Sequence, residues 1–266
     1  MIGAILGDMI GAPYEFDKGK KTKVFPLWSK GSKFTDDTVM TIAVADALLC
    51  AHGYTEAETV ACIAERMRAW GASYPNAGYG GRFRVWLAKP DMGPYNSYGN
   101  GSAMRCAAAG WLARSLAEAE RLGRLTAEPT HNHPEGIKAA EATAGAIWLA
   151  RNGTDREGVV EYMTESWGYA LRPLAELRAA NRHDETCQKT MPLVIAAIAE
   201  STGFEDAIRN AVSCSGDADT IACITGSIAE ALYGVPEDIV EEGLSRLPYD
   251  IKLQLLRFER ELAKRA

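Results

Sequence analysis

Two short acidic stretches are the part of this chain best suited to chemistry: Phe34-Thr35-Asp36-Asp37-Thr38 (FTDDT) and Ser215-Gly216-Asp217-Ala218-Asp219-Thr220 (SGDADT). Each sets two aspartates beside a threonine, directly ahead of an apolar run, Val39–Ala51 (VMTIAVADALLCA) in one case and Ile221–Tyr233 (IACITGSIAEALY) in the other. Asp and Thr are good helix N-caps, which accounts for one Asp per helix. It does not account for four, because repulsion and desolvation both oppose paired charges at the mouth of a buried segment. If the two runs pack side by side, Asp36, Asp37, Asp217 and Asp219 meet, and bound cations supply the missing positive charge. Carboxylates, hydroxyls and waters suit hard ions, so two Mg²⁺ or Mn²⁺ are expected. Asp8 and Glu15, in Gly7–Glu15 (GDMIGAPYE), are candidates to join this acidic region, with Pro13 ending the first helix and Glu15 left on a loop.

Two further loops carry candidate ligand contacts. Tyr98–Arg105 (YGNGSAMR) puts small residues ahead of an Ala-rich helix over Ala103–Ala109. Ser102 is placed to cap that helix, and the loop's free N–H groups are placed to hold a phosphate. The spacing is neither that of a P-loop nor that of a dinucleotide fingerprint. Thr130–Gly136 (THNHPEG) holds two of the four histidines, but no Cys or third His stands at zinc spacing. It reads as a pre-helix loop with Pro134 in the first turn, from which His131 or His133 could bond a substrate. Asn76–Phe83 (NAGYGGRF) is a third flexible stretch that could flank a ligand.

The elements that must position these residues are helical. In Glu56–Trp70 the apolar side chains Val60, Ile63, Met67 and Trp70 form one stripe, and Lys138–Arg151 is rich in helix formers. Further helices are predicted over Met191–Ser201, Phe204–Val212 and Tyr249–Lys264. Val39–Ala51 and Ile221–Tyr233 are apolar nearly all round and belong in the interior. Gly3, Gly7 and Gly11 recur every fourth residue, a flat seam for another helix. Val24–Trp28 (VFPLW) is the best short candidate for a strand. The composition, 47% hydrophobic and 24% charged over 266 residues with no obvious linker, predicts one all-α domain over residues 1–266. A net charge of −6, with no basic run beyond KGKKTK at Lys18–Lys23, argues against a nucleic-acid partner. The six cysteines form no CxxC pair and read as free thiols. With no signal peptide and no membrane-length apolar run, a cytoplasmic location is expected.

Taken in order, GDMIGAPYE, FTDDT, YGNGSAMR, THNHPEG and SGDADTIACITGSIAEALYG resemble the ADP-ribosylglycohydrolase family. The resemblance implies a compact helical bundle with a binuclear Mg²⁺ or Mn²⁺ cleft that hydrolyses the bond between ADP-ribose and an acceptor. It implies Thr35, Asp36, Asp37, Asp217, Asp219 and Thr220 as metal ligands, and Asp36 or Glu15 as the group that activates water. It further implies Gly99, Asn100, Gly101 and Ser102 as contacts of the diphosphate, and His131 as a ligand contact. Where relatives commonly have a glycine, this chain has Cys214-Ser215 ahead of Gly216-Asp217, a departure expected to alter packing. A non-catalytic ADP-ribose binder and a two-metal phosphohydrolase are the alternatives.

Overall fold

A computed structural model describes residues 1–16, 21–51 and 53–264. Among them run fifteen α-helices and no β-strand, only an isolated bridge between Gly99 and Thr186. In chain order they are α1 (Ile2–Gly11), α2 (Asp36–Cys50), α3 (Glu56–Ser73), α4 (Gly81–Ala88), α5 (Gly101–Met104), α6 (Ala107–Leu112), α7 (Leu116–Ala127) and α8 (Pro134–Arg151). There follow α9 (Arg156–Glu161), α10 (Leu174–Ala180), α11 (Cys187–Ala199), α12 (Phe204–Val212), α13 (Ala218–Tyr233), α14 (Glu237–Ser245) and α15 (Tyr249–Ala263). A 3₁₀ turn at Ala12–Tyr14, with Pro13 in it, ends α1 and leaves Glu15 just beyond.

The glycine seam has the predicted use. A Cβ on Gly7 would stand 2.1 Å from the Ala222 carbonyl oxygen, and one on Gly3 2.4 Å from that of Gly226. α1 therefore lies against α13 backbone to backbone, the most extensive helix contact among the described residues. This contact offsets the roughly 1 kcal/mol that each glycine costs a helix. α2 packs against both, and α3, α6 and α15 cover its other sides. Residues 37–48 of α2 and 218–229 of α13 are all buried, as an all-round apolar pattern demands. Asp46, the main polar exception in α2, is matched by Arg257 (2.9 Å) and by the Trp70 indole N–H (3.3 Å).

Three local expectations are corrected. Val24–Trp28 is not a strand: Phe25 and Trp28 lie on the core from a loop, and the Arg209 guanidinium takes the carbonyls of Lys23 and Phe25 (3.1 and 2.8 Å). Ala103–Ala109 is not one helix, because α5 ends at Met104 and α6 begins at Ala107. Ser102 does not cap: it sits inside α5, buried, its hydroxyl 3.5 Å from the Gly99 carbonyl. In the KGKKTK run, Lys18 and Lys20 lie outside the described residues. Lys21 and Lys23 are engaged with the Arg178 carbonyl and with Asp206. All six cysteines are free thiols, Cys50 and Cys62 partly exposed and the others buried. No described helix is long and apolar enough to cross a membrane.

Candidate metal centre

The packing of α1, α2 and α13 brings the two acidic stretches to one place. Thr35 is the N-cap of α2, its hydroxyl accepting from the Asp37 N–H (3.3 Å), so Asp36 and Asp37 occupy the first turn. On α13 a tight turn does the same: Ser215 (φ 61°) and Gly216 (φ 74°) are both left-handed and swing Asp217 to the helix start. The Asn181 amide holds that turn through the carbonyls of Cys214 and Ser215 (3.1 and 3.0 Å). Ser215 thus occupies a backbone conformation that favours glycine. Asp8, one turn from the end of α1, is fully buried between the two helices.

Two carboxylate groups result. One oxygen each from Asp8, Asp37 and Asp219 lie within 4.8 Å of one another, and so do oxygens of Glu15, Asp217 and Asp219. Asp219 belongs to both. The local electrostatics are unfavourable without a counter-charge. Burial first, and then repulsion from Asp8, pushes the Asp36 carboxyl up to about 8 from an ordinary 3.8. Burial also raises Asp8 and Asp217 to about 6 each. Asp37 and Asp219 are raised well above the usual carboxylate range by burial and by their neighbours' charges. Asp37 Oδ1 is buried with no hydrogen-bond partner, the feature of the site that most directly calls for a cation.

Asp8 has a different setting. Its carboxylate accepts from the Thr35 N–H (2.9 Å) and hydroxyl (2.8 Å) and from the Thr38 N–H (3.1 Å) and hydroxyl (2.5 Å). These four donors, two of them from the first turn of α2, tie α1 to α2. Sequence reading offered Asp8 only as a possible addition and did not single out Thr38; neither role is visible without the helix packing.

The carboxylates floor a cavity of about 360 Å³. Asp36, Asp37, Asp217, Asp219, Thr220 and Glu15 all reach it, whereas Thr35 and Ser102 do not line it. Asp36 stands beside Gly78, in the predicted flexible stretch, and outside the two close carboxylate groups. Thr220 donates toward Asp37 Oδ2 (3.3 Å), and the Thr35 hydroxyl is committed to Asp8. Gly99, Asn100, Gly101 and His131 line the cavity as well. There the Asn100 amide donates to Asp217 (2.5 Å) and Thr190 (2.9 Å), so this side chain steadies a carboxylate of the cluster. The N–H groups of Gly101 and Ser102 open α5 and have no acceptor within that helix. His133 is the N-cap of α8, accepting from the Glu135 N–H (3.1 Å), with Pro134 after it. Of the two histidines in THNHPEG, His131 is thus the one at the cavity. Arg82, from the Asn76–Phe83 stretch expected to flank a ligand, lines it too, as do Tyr95 and Phe16, which the sequence did not point to. Arg82 lies over the Tyr95 ring at 4.9 Å. Phe16 (φ 56°) is exposed, 5.0 Å from the His183 ring.

An all-α scaffold whose two central helices open on neighbouring carboxylates, at a cavity lined in part by glycines, defines a buried acidic cleft. The ADP-ribosylglycohydrolase family profile matches residues 1–266, and the chain belongs to that family. Similar proteins include the ADP-ribosylarginine hydrolase Tri1 of Pseudomonas putida, 26% identical over 91% of this chain and 72% of its own. The ADP-ribosyl-[dinitrogen reductase] glycohydrolase of Rhodospirillum rubrum is 28% identical over 96% and 91%, and the ADP-ribosylhydrolase ARH3 of Bos taurus 26% over 89% and 84%. A solved ADP-ribosylglycohydrolase-related protein complex contains a chain of the same fold (TM-score 0.67, 24% identity, 97% of this chain and 95% of that one).

Proposed function

We propose that this ADP-ribosylglycohydrolase uses two Mg²⁺ or Mn²⁺ ions to cleave ADP-ribose from a modified acceptor, with residues 1–266 acting as one domain. One connected apolar core supports the single domain. Asp8, Asp37 and Asp219 would hold one cation and Glu15, Asp217 and Asp219 the other, with Thr35, Asp36 and Thr220 completing the oxygen-rich surround. The observation that carries this reading is the convergence of these buried carboxylates from distant segments, with Asp37 Oδ1 left unpartnered. When bound, such cations orient ribose hydroxyls and lower the pKa of a water at the anomeric carbon.

The chain's own groups do the rest. Glu15 or Asp36 takes the proton from the attacking water, and the carboxylates stabilise positive charge that develops on the sugar as the glycosidic bond breaks. The Gly101 N–H and the Arg82 guanidinium, both at the cavity, face the diphosphate and overcome the unfavourable net charge locally. The carboxyl that took the water's proton then returns it to the acceptor atom as the glycosidic bond breaks, so the acceptor departs neutral and the base is restored.

The test offers arginine-linked, serine-linked and O-acetyl ADP-ribose with Mg²⁺ or Mn²⁺ and follows free ADP-ribose. The arginine conjugate comes first, since Tri1 bears that activity in its name. Release of ADP-ribose, lost in Asp37→Ala and Asp219→Ala together with cation binding, is the expected result. Release of inorganic phosphate instead would identify a phosphohydrolase, and binding of ADP-ribose without turnover of any conjugate would identify a non-catalytic relative.

A further inference from the structure

Arg105 ends the YGNGSAMR motif and is buried, 1% exposed. Among the described residues no carboxylate bonds to it. Its Nε and Nη2 donate to the Thr126 carbonyl (3.1 and 2.8 Å), and Nη2 also to the Ala127 carbonyl (3.3 Å) and the Thr130 hydroxyl (2.9 Å). Its Nη1 lies 3.5 Å from His131 Nδ1, and the Thr130 hydroxyl lies 2.7 Å from the same atom. A guanidinium is donor only, so the Thr130 oxygen accepts from Arg105, and its proton is left to point at Nδ1. His131 Nδ1 thus faces two donors and must accept. The ring proton of the neutral imidazole then resides on Nε2.

That nitrogen has no hydrogen-bond partner among the described residues, although His131 is only 6% exposed and lines the cavity. Its surroundings are kept clear by the two glycines of the motif. A Cβ on Gly101 would stand 3.1 Å from Nε2, and one on Gly99 3.5 Å. Burial together with the Arg105 charge also disfavours the imidazolium, so a single N–H is offered.

We infer that Arg105 and Thr130 are positioning residues that fix His131 as the Nε2–H tautomer, which donates one hydrogen bond to an oxygen of the substrate's diphosphate at Gly99–Gly101. The inference rests on the reading of that loop as the diphosphate site. Two measurements test it without requiring turnover. In protein labelled with ¹⁵N at histidine, a long-range proton–nitrogen correlation spectrum reports the tautomer, with His131→Ala assigning the signal among the four histidines. Calorimetry with ADP-ribose reports the hydrogen bond.

The wild type is expected to show Nε2–H. Thr130→Val, nearly isosteric, should lose that preference and bind ADP-ribose about tenfold more weakly, the loss of one hydrogen bond. Thr130→Ser should restore both, and Thr130→Val should weaken binding no further in a His131→Ala background. A wild-type Nδ1–H tautomer, or a folded Thr130→Val protein that binds like wild type, would overturn the inference. Should every conjugate resist cleavage while these results hold, the positioning survives and only the hydrolytic reading falls.

Discussion

Raising the pH of the cation-free protein should weaken it, and Asp36 should account for much of the effect. Its carboxyl titrates at about 8 in the fold, against an ordinary 3.8. A carboxyl with a raised folded-state pKa contributes stability while protonated and loses it as pH climbs through that value. Between pH 6.5 and 8.5 the loss from this one group comes to about 2 kcal/mol. For a chain of this length that is roughly 4 °C or more in Tm. The assay is thermal unfolding in EDTA across this range, for wild type and Asp36→Asn. The fall should be smaller in the variant by about 2 kcal/mol. His131, held below its ordinary pKa, and Glu141, raised to about 7 by burial, are common to both proteins. Asp37, which Asp36 repels, loses part of its own upward shift in the variant and adds to the difference in the same direction. Saturating Mn²⁺ should flatten the wild-type curve, because the cation replaces protons as counter-charge. Equal slopes for wild type and Asp36→Asn in EDTA would refute the assignment of this strain to Asp36.

Three other outcomes are expected. Gly7→Ala puts a Cβ against the Ala222 carbonyl, a backbone atom that cannot turn away, so denaturant unfolding should show a loss of about 3 kcal/mol. Because α1 carries Asp8, calorimetry should show weaker Mn²⁺ binding as well, and unchanged stability would contradict the backbone contact. Ser215→Gly relieves a left-handed serine, and after glycine's own entropic cost the same assay should show a gain of about 0.5 kcal/mol. Glu15→Gln keeps an oxygen at the site but cannot take a proton, so kcat should fall about 100-fold with little change in ADP-ribose binding; a matching fall in Asp36→Asn alone would move the base to that residue.

Much of this architecture is legible in the sequence because it follows from local pattern. The surplus of aspartates ahead of two all-apolar runs implied a shared, buried location, and the structure buries Asp37, Asp217 and Asp219 in adjoining carboxylate groups. The Phe204–Val212 helix carries its own boundaries, starting after Gly203 and ending before the turn that leads to Ser215. What was not legible depends on which segments become neighbours. Asp8 looks like an ordinary acid until α1 lies between α2 and α13, and the bond from the Asn100 amide to Asp217 arises only once that loop meets the start of α13. Val24–Trp28 is a short apolar run of strand length, but Pro26 lacks a donor and no partner strand exists among the described residues. The break at Arg105–Cys106 goes against the helix propensity of its alanines. There the Arg105 side chain is held by Thr126, Ala127 and Thr130, far along the chain.

The central claim, that buried carboxylates from distant segments share a pair of divalent cations, is tested most directly by anomalous diffraction from crystals grown with Mn²⁺. Two peaks are predicted, one among Asp8, Asp37 and Asp219 and the other among Glu15, Asp217 and Asp219. A well-ordered cleft with no manganese peak between these side chains, at a cation concentration that supports turnover, would contradict it.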